Sequence, residues 1–266
     1  MADDFEARQY SVVRYSLDPQ YIDNKQEIQE CDIVFVAVPT PTTPDGFSFE
    51  LVKEVLPLVR NGATVAIKST LLPGTTNELQ QEFPDIYVMH APEFLREKNA
   101  AEDSSNPERN IIGIPVENKE YRGRAERILS VLPRAKYNLI TSSYNAESIK
   151  HIGNAFLYTK VVFMNIMHDL VVGEGGDWSI VGEAVGNDSR IGHSHMKPVH
   201  ESGRGAGGHC FIKDFEALIR YSSDHPDQKS VEVLKALRAK NNELLVSSGK
   251  DMDLYEGVYG LDDKPL

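Results

Sequence analysis

The residues best suited to do chemistry lie in a glycine-rich stretch that holds one of the two cysteines of the chain. Residues 203–214 read Gly-Arg-Gly-Ala-Gly-Gly-His-Cys-Phe-Ile-Lys-Asp, and a helix is predicted over 211–221, directly after Cys210. Unpaired backbone N–H groups and the positive end of the helix dipole would favour the thiolate there. Lys213 and Asp214 return to the same helix face one turn later. This pattern predicts a nucleophilic cysteine.

This stretch has two other possible interpretations, a buried structural cysteine and a dinucleotide-binding turn. A free cysteine most often behaves as a small buried hydrophobic residue, but glycine, histidine and lysine surround Cys210 instead of a core pattern. Gly203, Gly205 and Gly208 also match G-x-G-x-x-G, the dinucleotide-binding turn. That turn requires a strand directly before it. The polar segment 191–202 has no strand pattern, so this interpretation is rejected.

Composition limits the classes of function. The 266 residues are 41% hydrophobic and 26% charged, as in a globular protein with a sizeable core. A net charge of -12 disfavours nucleic-acid binding. No signal peptide is recognised and no apolar run of bilayer length is expected. Two isolated cysteines, Cys31 and Cys210, favour a reducing cytoplasm. His193 and His195 form an isolated pair, and no metal site is predicted.

Short apolar runs alternate with amphipathic stretches through residues 1–141. This alternation predicts an α/β fold, a partial doubly wound Rossmann-like parallel sheet. Ligands of such sheets lie beyond the carboxyl ends of the strands. The loops 39–47, 69–76 and 91–101 are therefore candidate binding loops. The predicted strands span 11–17, 32–38, 64–68, 86–90, 111–115 and 136–140, and the predicted helices 49–59, 75–81 and 119–132.

The pattern changes at residue 142, where one long helix is predicted to continue to residue 172. Such a helix after an α/β domain is typical of a dimer interface. Shorter helices are predicted at 179–185 and 230–245, and the acidic end of the chain is predicted to be a loosely held tail, 247–266. The predicted division is an α/β domain over 1–141, an all-α dimerisation domain with Cys210 over 142–222, and a helix and tail over 223–266.

Three further clusters could take part in chemistry. Lys150 and Asn154 lie at i and i+4 on the long helix, where a charge and an amide can hold an oxyanion. The alternative is a solvated helix face with an ion pair from Glu147. Glu93 and Glu97 would share a face of a helix that begins at Pro92 and could act as acid or base. The alternative is the ordinary preference of acidic residues for helix N-termini.

The segment 69–76 joins a strand to a helix. Its hydroxyls and free N–H groups suit a phosphate, a ribose or a nicotinamide amide. The alternative is ordinary capping of the helix by Thr75 or Thr76.

Taken together, these motifs resemble the UDP-glucose/GDP-mannose dehydrogenase family. Six blocks occur in the family's order. They span residues 32–42, 68–76, 91–97, 146–156, 186–192 and 207–214.

The resemblance implies a four-electron oxidation of a sugar primary alcohol to a carboxylate, of the UDP-glucose to UDP-glucuronate type, with reduction of two NAD. Cys210 would attack the intermediate aldehyde, and the resulting thiohemiacetal would lose a second hydride to give a thioester. Glu93 would assist hydrolysis of the thioester through a water molecule. Lys150, Asn154 and Asp214 would stabilise the oxyanion, and Thr70 would act near the reacting carbon.

The resemblance also implies the binding residues. Those for the cofactor would be Val38, Pro39, Thr40, Ser69, Thr70, Glu97 and Lys213. Those for the nucleotide sugar would be Glu93, Phe94, Leu95, Arg96, Glu97, Lys150, Asn154, Arg190, Gly207 and Gly208. A homodimer through the long helix is implied, and a cytoplasmic location without nucleic-acid or membrane partners is expected.

Three departures from the family pattern leave two interpretations open. The family opens with a strand and a glycine-rich loop, yet residues 1–60 contain a single glycine, Gly46. Ser16 aligns with the family's ribose-binding acidic residue, and about forty-five residues follow Tyr221, too few for the family's C-terminal domain. The chain is interpreted either as a shortened dehydrogenase or as a degenerate member that dimerises or binds a ligand without activity.

Overall fold

The computed structural model describes residues 1–260, apart from the side chain of Glu97. Its strands are β1 (Ile33–Val36), β2 (Thr42–Thr43), β3 (Gly46–Phe47), β4 (Thr64–Ile67), β5 (Tyr87–His90), β6 (Arg109–Ile114), β7 (Tyr137–Ser142), β8 (Val199–His200) and β9 (Gly203–Arg204). Its α-helices are α1 (Ala2–Ala7), α2 (Glu50–Val55), α3 (Thr75–Glu82), α4 (Ala100–Ser105), α5 (Lys119–Val131), α6 (Ser143–Gly173), α7 (Trp178–Gly186), α8 (Gly208–Tyr221), α9 (Gln228–Ser248) and α10 (Met252–Tyr259).

Contacts group the described residues into two compact units. The first unit comprises residues 1–40 and 49–150, and the second comprises residues 41–48 and the described residues from His151 onward. The predicted domain boundaries near residues 141 and 222 stay a prediction.

The first unit is built on a five-stranded sheet in the order β1-β4-β5-β6-β7. Three of its pairs of strands are parallel. Strands β5 and β6 are antiparallel, with His90 opposite Gly113. The sheet is therefore mostly parallel, where the sequence predicted a fully parallel one. The prediction of an α/β, Rossmann-like fold is confirmed.

Both faces of this sheet are covered, which explains why its strands are continuous apolar runs. Val65 and Ile67 pack on one face with Leu79 of α3. Ala66 packs on the other face in a core that includes Ile128 of α5. Successive side chains of β4 thus point to opposite cores, and all four of its residues are buried.

The prediction of a strand at residues 11–17 is wrong. This segment has no sheet pairing in the structure, and β1, where the described sheet begins, pairs with β4. Val12 and Tyr15 instead pack their side chains against the cores on the two faces. A β-rich sequence becomes a strand only where another strand offers backbone partners, and a local pattern cannot show that.

The second unit is helical apart from the small hairpins β2-β3 and β8-β9. Its core is centred on Tyr158 of α6, whose ring stacks on Phe215 of α8 at a centroid distance of 3.8 Å.

The prediction of a loosely held tail is wrong for residues 247–260. Helix α9 continues to Ser248, and α10 follows within four residues. Tyr255 and Val258 of α10 are 2% and 5% exposed and pack with Ile212 of α8 and Leu245 of α9. The acidic composition of this segment conceals an apolar face with helical spacing. Residues 261–266 of the predicted tail lie outside the described residues.

Helix α6 also corrects the expectation that no apolar run reaches bilayer length. It has 31 residues, and an 18-residue window within it has a mean hydropathy of 1.3. Only 22% of that window is buried. Length and composition alone do not distinguish a membrane span from the long central helix of an α-helical unit.

Candidate active site

Cys210 lies in the first turn of α8. The helix begins at Gly208 with Gly207 as its N-cap, so it starts three residues before the predicted start. The glycine pair weakens the helical signal in the sequence, which explains the late prediction. The Cys210 side chain is exposed, so the thiol is accessible and is not part of an apolar core.

The glycines before Cys210 make room for another part of the same chain. A Cβ atom on Gly207 would lie 2.0 Å from Oδ2 of Asp251 and 2.8 Å from Cε of Lys250. The backbone N–H of Gly208 donates to the same Asp251 oxygen at 2.7 Å. Sequence reasoning missed both Lys250 and Asp251, because neither their spacing nor their neighbours connect them with the cysteine.

Asp214 is the centre of a polar cluster in the second unit. Its carboxylate is 2% exposed and accepts a hydrogen bond from Nδ2 of Asn154 at 2.6 Å. Nζ of Lys213 donates to its other oxygen at 2.5 Å. The structure thus brings together three of the predicted residues. The carboxylate neutralises the lysine and orients the amide, as in a site that must hold a polar reacting group.

A second polar cluster lies in the first unit around Glu93. Oε2 of Glu93 is 3.1 Å from Nζ of Lys68, and its backbone carbonyl accepts from Nζ of Lys150 at 2.7 Å. The ring of Phe94 lies 5.7 Å from Nζ of Lys150 and 3.9 Å from the guanidinium carbon of Arg109. Sequence reasoning did not select Lys68, although its place directly after β4 was a usable signal.

The predicted helix beginning at Pro92 does not form. Residues 91–96 have no regular structure, and a 3₁₀ turn, Glu97–Asn99, leads into α4. The prediction that Glu93 and Glu97 share a helix face is therefore wrong; the side chain of Glu97 lies outside the part that the structure describes.

The loops after β1, β4 and β5 meet at one edge of the sheet. Oγ of Ser69 donates to the carbonyl of Val38 at 2.6 Å, and Nε2 of His90 is 3.1 Å from the carbonyl of Ser69. Thr70 is half-buried beside Ser69, and Thr40 is 4% exposed. Pro39, which lies between Val38 and Thr40 in the chain, is exposed. The structure therefore groups most of the predicted cofactor residues of this unit at the carboxyl edge, as expected for such a sheet.

The N-terminus of α3 differs from both interpretations of the sequence. Gly74 is the N-cap, and the capping acceptor is the carboxylate of Glu147 rather than Thr75 or Thr76. Glu147 accepts from the N–H of Gly74 at 2.6 Å and from the N–H and hydroxyl of Thr76 at 2.8 and 2.5 Å. Burial raises the pKa of Glu147, although these hydrogen bonds lower it. The N–H groups at this end of the helix are already occupied by the carboxyl group of Glu147 and offer no place for a phosphate.

Three predicted substrate residues stand apart from these clusters. Arg96 pairs with Asp103 at 2.6 Å, and that guanidinium lowers the pKa of Asp103 to about 2. Arg190 pairs with its neighbour Asp188 at 2.6 Å and is largely exposed. Leu95 is half-buried, with no polar role.

The residues present fit NAD only in part. The carboxyl edge with Ser69 and Thr70 offers polar groups for a nicotinamide. A dinucleotide pyrophosphate needs a glycine-rich turn and a free helix N-terminus. Within residues 1–260, no strand of the large sheet is followed by such a turn, and Glu147 fills the N-terminus of α3. Among the described residues, the groups that suit NAD are therefore those for its nicotinamide end.

A mostly parallel sheet with polar loops at one edge, in a chain that continues into a helical unit, is an arrangement found in Rossmann-type dehydrogenases. Residues 15–131 match the NAD binding domain of the UDP-glucose/GDP-mannose dehydrogenase family, and residues 144–243 match its central domain. The chain belongs to this family.

Known relatives agree with this assignment. The chain is 33% identical over 226 residues to a UDP-glucose 6-dehydrogenase of Rickettsia conorii, covering 82% of this chain and 50% of that protein. It is 32% identical to one of Rhizobium meliloti, covering 91% of this chain and 59% of that protein. A solved UDP-glucose dehydrogenase of Pyrobaculum islandicum superposes with a TM-score of 0.77 at 26% identity, covering 91% of this chain and 65% of that one. The chain thus spans about half the length of the curated relatives it matches.

Proposed function

We propose that the chain acts as an NAD-dependent nucleotide-sugar dehydrogenase that converts the primary alcohol of a UDP-glucose-type substrate to a carboxylate. The observation that carries the proposal is the exposed thiol of Cys210 in the first turn of α8. An accessible thiol in the first turn of a helix can act as the nucleophile of a covalent intermediate. NAD would supply the hydride acceptor for both oxidations.

The cysteine serves the second oxidation. The first oxidation removes a hydride and the hydroxyl proton from the alcohol and leaves an aldehyde. The thiolate of Cys210 then forms a C–S bond to the aldehyde carbon, and the oxygen takes up a proton. Loss of that proton and of a second hydride gives a thioester. Water then adds to the thioester and the C–S bond breaks. The sulfur takes up one proton of the water, the other proton is released, and the carboxylate leaves.

The surrounding residues have distinct roles in this scheme. Asn154, held by Asp214 at 2.6 Å, donates to the developing oxyanion, and the ammonium of Lys150 supplies positive charge. Glu93, next to Lys68 at 3.1 Å, directs the hydrolytic water. Thr70 acts near the reacting carbon, as the resemblance to the family implies.

The test compares the two cysteines of the chain. Cys210→Ala should abolish the second oxidation, so that at most one NADH forms per UDP-glucose, followed by absorbance, whereas Cys31→Ala should still form two at the wild-type rate. Cys210 should also react with iodoacetamide near neutral pH faster than a simple thiol peptide. Two NADH per UDP-glucose in Cys210→Ala, or alkylation no faster than that of the peptide, would contradict the proposal.

A second candidate function is ligand binding without dehydrogenase activity. It is favoured by one observation, the filled N-terminus of α3, which leaves no pyrophosphate site among the described residues. Calorimetric titration with NAD, alone and with UDP-glucose, separates the two. Binding of UDP-glucose without binding of NAD at millimolar concentration would favour this candidate.

We also propose a homodimer through α6 and a cytoplasmic location. Four of the exposed large apolar side chains of α6 lie on one side of the helix and are between 49% and 67% exposed: Ile152, Phe156, Phe163 and Leu170. At 3.6 residues per turn they fall within about 40° of one another, so they form one stripe along the helix. An exposed apolar stripe of this kind is typical of an interface.

Light scattering tests the dimer. The chain should have twice its mass of 29.7 kDa, and Phe156→Glu should reduce it to a monomer. Val172→Glu provides the control, because Val172 is 48% exposed and lies outside the stripe. A monomeric wild type, or equal effects of both changes, would contradict the dimer.

A further inference from the structure

We infer that Asp251 is a positioning residue for the turn that presents Cys210. The inference deepens the proposed function, since it concerns the same cysteine. Asp251 follows Cys210 by 41 positions (251 − 210) and belongs to the segment between α9 and α10.

Asp251 caps a helix other than its own. By its backbone it is the N-cap residue of α10, and an aspartate there normally bonds to the N–H groups of that same helix. The side chain makes no such bond in α10. Its Oδ2 instead accepts the N–H of Gly208 at 2.7 Å, at the start of α8. Gly207, the N-cap of α8, has no side chain that could do this.

The backbone of Asp251 is held in a conformation that directs this carboxylate. Its φ of 51° lies in the left-handed region, which non-glycine residues rarely adopt. Lys250 beside it is 4% exposed, and its Nζ donates to the carbonyl of Gly205 at 3.1 Å. On the other side, the N–H of Tyr255 donates to the backbone carbonyl of Asp251 at 2.9 Å.

The turn is also held by a buried side chain of α9. Asn241 of α9, which is 1% exposed, accepts from the N–H of Ala206 at 2.6 Å and donates to its carbonyl at 3.1 Å. Gly205 and Gly208 have φ values of 90° and 80°, so the turn is tightly bent. Side chains from residues 241–251 therefore fix the path of the backbone into the first turn of α8, where Cys210 lies.

Helix α10, which begins directly after Asp251, also packs against α8. Ile212, two residues after Cys210, packs in one cluster with Tyr255 and Val258 of α10. Helix α10 thus contacts α8 through apolar side chains, while Asp251 supplies the polar cap at its end. Because the segment is anchored on both sides of the cysteine, loss of the Asp251 carboxylate should affect the turn more than the fold.

The experiment measures the alkylation rate of Cys210 by iodoacetamide, with each cysteine quantified by mass spectrometry. Asp251→Gly removes the carboxylate at a backbone angle that glycine adopts freely, and Asp251→Asn keeps an acceptor and tolerates the same angle. We expect Asp251→Gly to slow alkylation of Cys210 about fivefold. Without its cap, the turn holds the thiol in the reactive position for a smaller share of the time. Asp251→Asn should remain within about twofold of wild type, because the hydrogen bond is kept.

Two controls are built into the chain. Asp253→Ala removes an exposed carboxylate from the same helix and should leave the rate unchanged. Burial, and then Asp32, raise the pKa of Cys31, so its slow alkylation should be equal in all variants. Hydrogen exchange should become faster at the amides of residues 205–211 in Asp251→Gly alone.

The outcomes separate the inference from the proposed function. Wild-type rates of alkylation and exchange in Asp251→Gly would overturn the positioning role, and so would an Asp251→Asn variant as slow as Asp251→Gly. A wild-type Cys210 no more reactive than a thiol peptide would contradict the nucleophile instead; hydrogen exchange would then still decide the role of Asp251.

Discussion

Helices α3 and α8 have similar N-termini but different roles. Each follows a glycine that has no side chain for capping, and in each a carboxylate from a distant segment accepts backbone N–H groups. Glu147 is fully buried and accepts three hydrogen bonds at α3. Asp251 is only half-buried, and the described hydrogen bonds give it one contact with α8.

This difference separates a structural helix end from a reactive one. Around α3, the carboxylate, the N–H groups and the threonine hydroxyl satisfy one another in a closed cluster. Around α8, one N–H is capped and Cys210 remains exposed in the same turn. A glycine followed by a helix therefore does not by itself indicate an anion site; whether the chain's own carboxylate fills it decides the role.

Removal of the buried cap should have the largest effect. Glu147→Ala should lower the free energy of unfolding by about 3 kcal/mol, because it leaves the buried donors of Thr76 without an acceptor. Glu54→Ala, at an exposed position of α2, should change it by less than about 0.5 kcal/mol. Urea unfolding followed by circular dichroism measures both. Equal effects of the two changes would show that the cap at α3 is not structural.

Replacement of the glycine before each helix by alanine should lower the free energy of unfolding by less, and for a different reason at each helix. Gly207→Ala should cost about 2 kcal/mol, since its Cβ would displace the carboxylate of Asp251. Gly74→Ala has open space but a φ of 101°, so it should cost about 1 kcal/mol through backbone strain.

The alkylation rate distinguishes the two substitutions. Gly207→Ala should slow the reaction of Cys210 with iodoacetamide, and Gly74→Ala should not. In an Asp251→Gly background, Gly207→Ala should cost less, because part of the clash is gone. Full additivity of Gly207→Ala and Asp251→Gly would contradict the contact between these residues.

The smallest expected effect is a dependence of stability on pH. Burial raises the pKa of Glu147 in the folded chain above its unfolded value of 4.5. Its contribution to stability is therefore fully present below pH 4.5 and decreases as the pH rises through the folded pKa. The free energy of unfolding of wild type relative to Glu147→Gln should fall as the pH rises above 4.5. A constant difference over that range would mean that the three donors balance the effect of burial.

The sequence predicts much of the sheet because its strands are buried on both faces. The runs at 64–68 and 86–90 have no polar alternation, and the structure places β4 and β5 within one residue of them. The run at 11–17 has a similar composition but no strand beside it. Whether a strand forms there depends on a partner that no local pattern can describe.

The candidate site shows the same limit. Cys210, Lys213, Asp214 and Asn154 are found from helical spacing and residue type, and the structure joins the last three by hydrogen bonds. Asp251 is not found, because its contact crosses more than forty positions and its own surroundings resemble an acidic tail. Glu147 is found but misinterpreted, because the neighbours on its helix do not show that it serves α3.

The left-handed backbone of Asp251 limits which residues can replace it. Glycine and asparagine relax there at little steric cost, whereas a branched or bulky side chain would push the linker between α9 and α10 out of its path. Of the two permissive residues, asparagine alone brings an oxygen within reach of Gly208. Sequence variation at this position is thus restricted twice, once by the shape of the main chain and once by a hydrogen bond made to a different helix.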